Sequence, residues 1–529
     1  MQTSAIRLIA LVALFIVATD NYRFFSEVTK VFPPTRGNLG FLGSLFIVFV
    51  CVLIILFNLV RSRWTLKPTL MAFLLLASVI SYFANSFHII VDDTMIQNVA
   101  ETNSAESLDL FSIRLILYVV FLGLLPALFV YRARIEYRGF RREQISRLFM
   151  LSGALVVMVL VMLPFGKHYS SFFREHKPLR FDTNPTYALY SAGKYLTASA
   201  FAGELPLQQI GLDAHQVKES SDRRLVVMVV GEAARADHFA FNGYPRATNP
   251  RLAAENIFNF SEMYSCGTST AVSVPCMFSP FERSAYSDKK AKATENVLDV
   301  LTHAGVQVLW RDNNSSSKGV ADRLPYENFR DPGSNPVCNG GECRDSGMLS
   351  GLQGYIDSKE GDIVIVLHQM GNHGPAYYKR YPTAFARFAP VCRDNELETC
   401  RDEEIVNAYD NAILYTDYFL AQIIQLLKNN DERFKTALVY MSDHGESLGE
   451  GGLYLHGMPY LIAPDEQKHV AALMWFGSRM RQEIDGNALS HIVDNRFSQD
   501  NLFHTLLGLM NVRSSVYVEN KDILAEVRS

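Results

Sequence analysis

The chain has no excess of charge of either sign. Its 529 residues hold 50 Lys and Arg against 54 Asp and Glu, a net of −4. That balance argues against a general nucleic-acid binder, which needs a basic surface to neutralise phosphates. Cysteine is scarce, with seven residues, and no two are spaced as C-x-x-C, which counts against a structural zinc site built on thiolates. No internal repeat and no low-complexity tract is present, so nothing supports a solenoid or a disordered scaffold.

Charge is missing altogether from four stretches: Gly37 to Val60, Pro68 to Val91, Leu115 to Tyr131 and Leu148 to Gly166. A bilayer-crossing helix needs roughly 20 apolar residues. The third stretch is short, but flanking arginines extend its reach by snorkelling. An earlier apolar run, Leu8 to Thr19, follows Arg7 and reads either as a retained span or as a cleaved signal segment. No small-x-small cleavage pattern follows it. About five helices are therefore expected in residues 1–166.

The remaining charge orients this bundle, because cytoplasmic loops are rich in Lys and Arg. Arg61, Arg63 and Lys67 follow the second uncharged run counted from the N-terminus. Arg132, Arg134, Arg138, Arg141, Arg142 and Arg147 precede the last. Residues 92–113 between them carry Asp92, Asp93, Glu101, Glu106 and Asp109 and no basic residue. The acidic loop and everything after the last span are thus expected outside the cytoplasm. Cysteine usage agrees: Cys51 lies within a span, and the other six all lie in the outer part. Six cysteines in an oxidising compartment favour disulfides and allow 15 pairings. Neighbours in sequence suggest Cys266 with Cys276, Cys338 with Cys343, and Cys392 with Cys400. Residues 167–220 mix aromatic and basic groups and read as a linker with interfacial helices. Residues 221–529 read as a soluble α/β domain.

In that domain short runs rich in Val, Ile and Leu alternate with helical stretches: Leu225–Val230, Val306–Trp310, Ile363–Leu367, Ala437–Met441 and Ala471–Phe476. The alternation predicts a mostly parallel sheet with helices on both faces, whose ligands bind beyond the carboxyl ends of the strands. Four of these runs end in polar groups. Glu232 follows the first, and Asp312-Asn313-Asn314 the second. His368 and then His373 follow the third, and Asp443-His444-Gly445-Glu446 the fourth. Carboxylates and imidazoles gathered on one rim make a usable metal set. Between Cys266 and Cys276, Thr268, Ser269, Thr270 and Ser273 offer hydroxyls for a metal-activated nucleophile, and spacing does not choose among them.

The segment Gly231-Glu-Ala-Ala-Arg-Ala-Asp-His, the run Cys266-Gly-Thr-Ser-Thr270, Arg311-Asp-Asn-Asn, His368-Gln-Met-Gly-Asn-His-Gly-Pro375 and Ser442-Asp-His-Gly-Glu-Ser447 come in a telling order. It resembles the order of motifs in the lipid A phosphoethanolamine transferases of the alkaline phosphatase and sulfatase superfamily, the colistin-resistance enzymes included. The resemblance implies a zinc-dependent transfer of phosphoethanolamine from phosphatidylethanolamine to a phosphate of lipid A. One tightly bound zinc ion is implied, with a second left open. Thr270 is implied as nucleophile, and Glu232, Thr270, Asp443 and His444 as zinc ligands. His373 and His456 would stand beside the phosphoryl group as candidate acids. Asn314, Lys318, His368 and Glu446 would line the substrate side, and Asn98 and Glu106 would meet the ethanolamine head group. The implied setting is a monomer in the bacterial inner membrane with a periplasmic catalytic domain. The same chemistry on a core sugar or glycan, or a hydrolase of this superfamily, is the alternative. No C/S-x-P-x-R sulfatase motif surrounds Thr270.

Overall fold

An uncharged run in a bilayer must satisfy its backbone within itself, which leaves the helix as its natural form. The computed structural model describes residues 2–101, 110–137, 139–200, 206–217, 222–339 and 341–528. Two compact units emerge: Met1–Ile96 with Phe111–Leu196, and Gln97–Leu110 with Thr197–Ser529.

The first unit is helical. α1 (Ala5–Thr19) and α2 (Tyr22–Val31) meet at a 59° bend, and α3 (Leu39–Leu59) and α4 (Leu66–Ser86) follow. α5 is Asp93–Glu101, and α6 runs over Ile113–Arg132 with a π-helical middle at Val119–Leu124. α7 (Phe140–Met162) leads through a tight turn into α8 (Gly166–Glu175), and α9 is Thr186–Ala200. Among the described residues, four helices are long and apolar enough to cross a membrane, or five if the bent α1–α2 pair counts as one. Ile9, Ala13, Ile16 and Val17 of α1 are fully buried in the helical core.

The helices differ from the uncharged stretches at their ends. α4 stops at Ser86, short of Val91. α7 begins at Phe140, so Arg141, Arg142 and Arg147 ride on its first turns and not in a loop. The reason is that charge marks where the apolar slab ends, whereas an arginine stem lets the helix continue beyond it. Arg147 donates to the Leu59 carbonyl at the end of α3.

The second unit is built on one seven-stranded sheet. Its strands are β1 (Arg223–Gly231), β2 (Ile257–Phe260), β3 (Gln307–Asp312), β4 (Tyr326–Asn328), β5 (Ile363–His368), β6 (Phe434–Ser442) and β7 (Ala472–Phe476). Their order across the sheet is β2-β7-β6-β1-β5-β3-β4. The five strands from β6 to β4 run parallel, β7 pairs antiparallel with β6, and β2 at the edge pairs antiparallel with β7. β1, β5 and β6 are buried almost throughout, as β-branched runs covered on both faces are. The two strands not expected from the sequence, β2 and β4, are short and lie at the sheet edges, where apolar runs are not demanded.

Register positions the site. His368 of β5 pairs with Val230 of β1 and Asp312 of β3, and Ser442 of β6 pairs with Gly231. Four strands therefore end at one level: Glu232 and Asp443, after β1 and β6, converge with His444, while Asn313 and Gln369, after β3 and β5, both donate to Asp345. Three disulfides close local loops: Cys266–Cys276, Cys338–Cys343 and Cys392–Cys400. Cys51 is a buried free thiol in α3.

Candidate active site

Thr270 opens α10 (Thr270–Met277), with Ser269 as its extended N-cap residue. The Cys266–Cys276 bond ties the approach to this helix to its last turn. The positive end of the helix points where an anionic phosphoryl group would be favoured. The four hydroxyls of the segment now separate. Thr268 donates to the Met458 carbonyl at 2.6 Å, and Ser273 accepts from the Gly267 amide at 3.0 Å. The Ser269 hydroxyl is buried without a partner among the described residues. Thr270 Oγ1 alone of the four lies against the strand-end cluster, 3.2 Å from Glu232 Oε2 and 3.3 Å from His444 Nε2.

Glu232, Asp443 and His444 converge there, all fully or almost fully buried. His444 Nε2 stands 3.3 Å from Glu232 Oε1 and 3.4 Å from Asp443 Oδ2. Its Nδ1 donates to the Gly445 carbonyl at 2.8 Å, which in the neutral ring leaves Nε2 with a lone pair facing the carboxylates. Among the described residues, Glu232 Oε1 and Asp443 Oδ2 have no hydrogen-bond partner. Two orphaned carboxylate oxygens beside an imidazole lone pair and a hydroxyl are costly unless a cation holds them. Four ligands at about 2.0–2.1 Å in a tetrahedron lie about 3.3 Å apart, the spacing expected of zinc. The donor set fits a divalent metal.

The electrostatics of the chain alone point the same way. Burial opposes ionisation of Glu232, but His444 beside it holds its carboxyl well below the usual range. Burial, and then repulsion from Glu232, push Asp443 up to about 6. Burial works against a charged His444, yet Asp443 and Glu232 raise it to about 10. A bound dication would supply the positive charge these carboxylates call for, with His444 neutral and its Nε2 lone pair available to coordinate.

The surroundings hold these groups in place. The backbone turns sharply after Glu232, with Ala233 at φ 53°, a conformation unfavourable for a residue with a side chain. The Tyr409 hydroxyl, fully buried on α11 (Asp402–Lys428), donates to the Ala233 carbonyl at 2.7 Å and accepts from the Arg235 amide at 2.9 Å. Ala233 also donates to Asp443 Oδ1 at 3.2 Å. Gly371, at φ 48°, passes so close that a Cβ would stand 2.9 Å from the Glu232 carbonyl oxygen.

Asn314 donates to Glu232 Oε2 at 2.7 Å and to the Gln369 carbonyl at 2.8 Å. Glu446 accepts from the Tyr377 hydroxyl at 2.6 Å and from His456 Nδ1 at 2.7 Å. Expected on the substrate side, Asn314 and Glu446 are buried, and these protein groups engage them. Asn314 thus orients Glu232, and Glu446 orients His456. The His456 ring lies 4.1 Å from that of His444 and 5.9 Å from that of His373. Among the described residues His373 Nδ1 and His368 Nε2 are buried without hydrogen-bond partners, and His368 Nδ1 is 3.0 Å from Asp312 Oδ2. Burial disfavours the charged His368 ring, but Asp312 outweighs it and raises the ring's pKa. Lys318 lines a cavity of about 150 Å³ with Ser279, Glu295 and Arg323. Asn98 lies on α5, and Glu106 falls outside the described residues. Tyr409 and Tyr377 are positioning groups that sequence reasoning missed. In the sequence Tyr409 sits at helical spacing among apolar residues and reads as core.

Comparison with known proteins draws the two units together. The family model described as Phosphoethanolamine transferase EptA/EptB matches residues 49–200, and that described as Sulfatase matches residues 224–512. Phosphatidylethanolamine transferase Mcr-2 from Escherichia coli is 46% identical over 518 residues, covering 96% of this chain and 95% of the relative. The chain belongs to the phosphoethanolamine transferases. Phosphoethanolamine transferase EptA of Escherichia coli K12 is 40% identical over 528 residues, covering 98% of this chain and 96% of its own. Among solved structures, the integral membrane lipooligosaccharide phosphoethanolamine transferase EptA from Neisseria meningitidis covers 100% of this chain and 99% of its own. Its TM-score is 0.96 at 36% identity. The chain is thus an integral membrane transferase, whose second unit carries a mostly parallel sheet within the part matched by the sulfatase family model.

Proposed function

We propose that this transferase moves phosphoethanolamine from phosphatidylethanolamine to a phosphate of lipid A through a covalent ester on Thr270. The observation that carries the reading is the placement of Thr270 Oγ1 against Glu232 and His444, beside two carboxylate oxygens without partners. The relatives named for phosphatidylethanolamine and phosphoethanolamine transfer support the donor. A more distant one, 27% identical over 502 residues, is named Kdo(2)-lipid A phosphoethanolamine 7''-transferase and supports a lipid A acceptor.

Zinc held by Glu232, Thr270, Asp443 and His444 would lower the pKa of the Thr270 hydroxyl and neutralise charge on the phosphoryl oxygens. The chain's own groups do the rest. Glu232 Oε2 is placed to accept the Thr270 proton. Thr270 Oγ1 then forms a bond to phosphorus as the bond to the glycerol oxygen breaks. That oxygen leaves in diacylglycerol, protonated by His373 or His456. Glu446 keeps a proton on His456 Nδ1, so Nε2 is the nitrogen that meets the leaving oxygen. In the second half the acceptor's phosphate oxygen attacks the same phosphorus, and the bond to Thr270 breaks. Anchoring in the bacterial inner membrane, with the catalytic unit in the periplasm, keeps two lipid substrates at one surface. Adding an ethanolamine ammonium to lipid A lowers its negative charge, which weakens attraction of cationic peptides such as polymyxin.

Mass spectrometry of lipid A from cells with and without the gene tests the assignment. One added phosphoethanolamine on a lipid A phosphate, absent in a Thr270→Ala strain, is expected. Unmodified lipid A with the group on a core sugar would redirect the acceptor.

A further inference from the structure

Beyond the catalytic cluster, one loop departs from the usual chemistry of a surface. Residues 457–464 follow His456 and are bound to the nucleophile segment: the Gly457 amide donates to the Thr268 carbonyl at 2.7 Å, and Thr268 donates back to Met458. Tyr460 donates to the Ser265 carbonyl at 3.0 Å, so its ring is fixed at the entrance to the Cys266–Cys276 loop. The next residue, Leu461, is 94% exposed. Among the described residues no other large apolar side chain is as exposed, an unusual feature beside an active site.

Cations stand around this tip. The Arg283 guanidinium lies 3.8 Å over the Tyr460 ring, and that of Arg496 lies 4.2 Å over Tyr264. Lys468 is 5.5 Å from the Tyr460 centroid, but it is paired with Asp465 at 3.4 Å. Among the described residues neither arginine forms an ion pair, and both are exposed. The nearby acids are otherwise engaged: Asp500 accepts the Arg283 backbone amide at 2.8 Å, and Glu262 accepts from Tyr264 at 3.4 Å. Burial raises the Tyr460 hydroxyl's pKa, Arg283 and then Arg496 work to lower it, and Asp500 and Asp465 oppose them more weakly, so both arginine charges reach the same ring. Stacking on tyrosine keeps a guanidinium planar and oriented while leaving its N–H fork free for phosphate.

We propose that Arg283, Arg496 and Tyr460, with Leu461 at their edge, form the docking subsite for the phosphate-bearing headgroup of the acceptor glycolipid. The inference rests on the transferase reading above and names where its second substrate lies. The two arginines hold a phosphate, Tyr460 supplies a flat face for a sugar ring, and Leu461 meets the apolar part of the amphiphile. Charge complementarity favours this occupant over a zwitterionic donor, and the bonds from Thr268 to Gly457 and Met458 join the subsite to the segment that carries Thr270.

The test separates the two halves of the reaction in full-length, zinc-loaded protein in detergent. Diacylglycerol release from a fluorescent phosphatidylethanolamine without acceptor reads the first half. Transfer to diphosphorylated lipid A over a concentration series reads the second. Arg283→Gln with Arg496→Gln is expected to raise the acceptor KM by about tenfold or more, the size of losing charge-assisted hydrogen bonds. Diacylglycerol release should hold its wild-type rate, and Lys at both positions should restore part of the affinity. Leu461→Ser should raise the same KM more modestly. An unchanged acceptor KM, or an equal loss of diacylglycerol release, would overturn the subsite while leaving the transferase reading intact. Equal loss of binding to phosphatidylglycerol vesicles lacking acceptor would show a membrane contact and also overturn it. If wild-type protein releases no diacylglycerol without acceptor, the proposed covalent route through Thr270 fails, and the inference with it.

Discussion

Replacing Tyr409 with Phe removes one oxygen and keeps the ring that packs against His238 and Tyr377. That oxygen serves two backbone groups at once, the Ala233 carbonyl and the Arg235 amide, and it is fully buried. Each group left unsatisfied costs about 1–3 kcal/mol. Ala233 sits at φ 53° and stores about 1–3 kcal/mol that the tyrosine helps to contain. The Glu232–Arg235 turn is therefore expected to relax toward an ordinary backbone conformation, carrying the Glu232 carboxylate with it. If about half of a total near 4 kcal/mol falls on the metal-competent arrangement, zinc affinity drops by roughly 10- to 100-fold, since about 1.4 kcal/mol is tenfold. Competition with a graded series of chelators measures that affinity, and the melting temperature of the metal-free protein measures the remainder. A purely structural tyrosine would lower the melting point and leave zinc affinity within twofold of wild type. That outcome would refute the argument that this hydroxyl holds the ligand turn.

Three further outcomes are expected. Thr270→Ala should abolish covalent labelling of the Cys266–Cys276 peptide by donor lipid, and Thr270→Ser should retain some; fragmentation mass spectrometry locates the label, and full labelling in Thr270→Ala would displace Thr270 as carrier. Gly445→Ala should cripple transfer and zinc binding together, because a Cβ there would stand 2.1 Å from the Glu466 carbonyl oxygen and must push the Asp443-His444 turn aside; zinc competition and transfer assays check it. Burial, helped by Lys521, lowers His504 to about 4, and its Nδ1 accepts from the Val518 amide at 3.2 Å. The folded pKa lies below the unfolded value near 6.5, so this stability is present above pH 6.5 and is lost as pH falls toward 4. With an allowance for solvent screening the loss is about 1–2 kcal/mol. Melting at pH 7.5 and 5 should therefore differ less in His504→Gln than in wild type.

The sheet was readable because its central strands are buried on both faces and so must be continuous runs of β-branched residues, as Leu225–Val230 and Ile363–Leu367 are. β2 and β4 escaped notice because an edge strand such as Tyr326–Asn328 has no such demand. The polar residues after the strands were equally visible, since one rim collects whatever follows each strand. The choice among Thr268, Ser269, Thr270 and Ser273 was not visible in spacing, because it depends on how the helix start is rotated against the Glu232 turn. The resemblance pointed to Thr270, and Thr270 is the hydroxyl found against Glu232 and His444. Charge marked where the spans lie but not where the helices end, as the arginines on α7 show. Tyr409 could not be singled out because its role rests on a hydroxyl reaching across to a turn 176 residues earlier.

The level register of β1, β3, β5 and β6 has a consequence for how the protein is made. Glu232 emerges from synthesis long before Asp443 and His444, and β1 has β6 on one side and β5 on the other. Neither neighbour of β1 exists when β1 appears, and the pairing that brings Ser442 level with Gly231 spans more than half of the second unit. A growing chain delivered across the membrane therefore offers scattered single ligands, none able to retain an ion alone, until its last third has been translocated. Long-range parallel pairing of this kind is slow to form, which delays chelation further. If the cluster binds zinc as proposed, metal capture becomes a late checkpoint in biogenesis. A chain truncated before β6 should neither sequester zinc from the periplasm nor expose an activated hydroxyl to passing lipid.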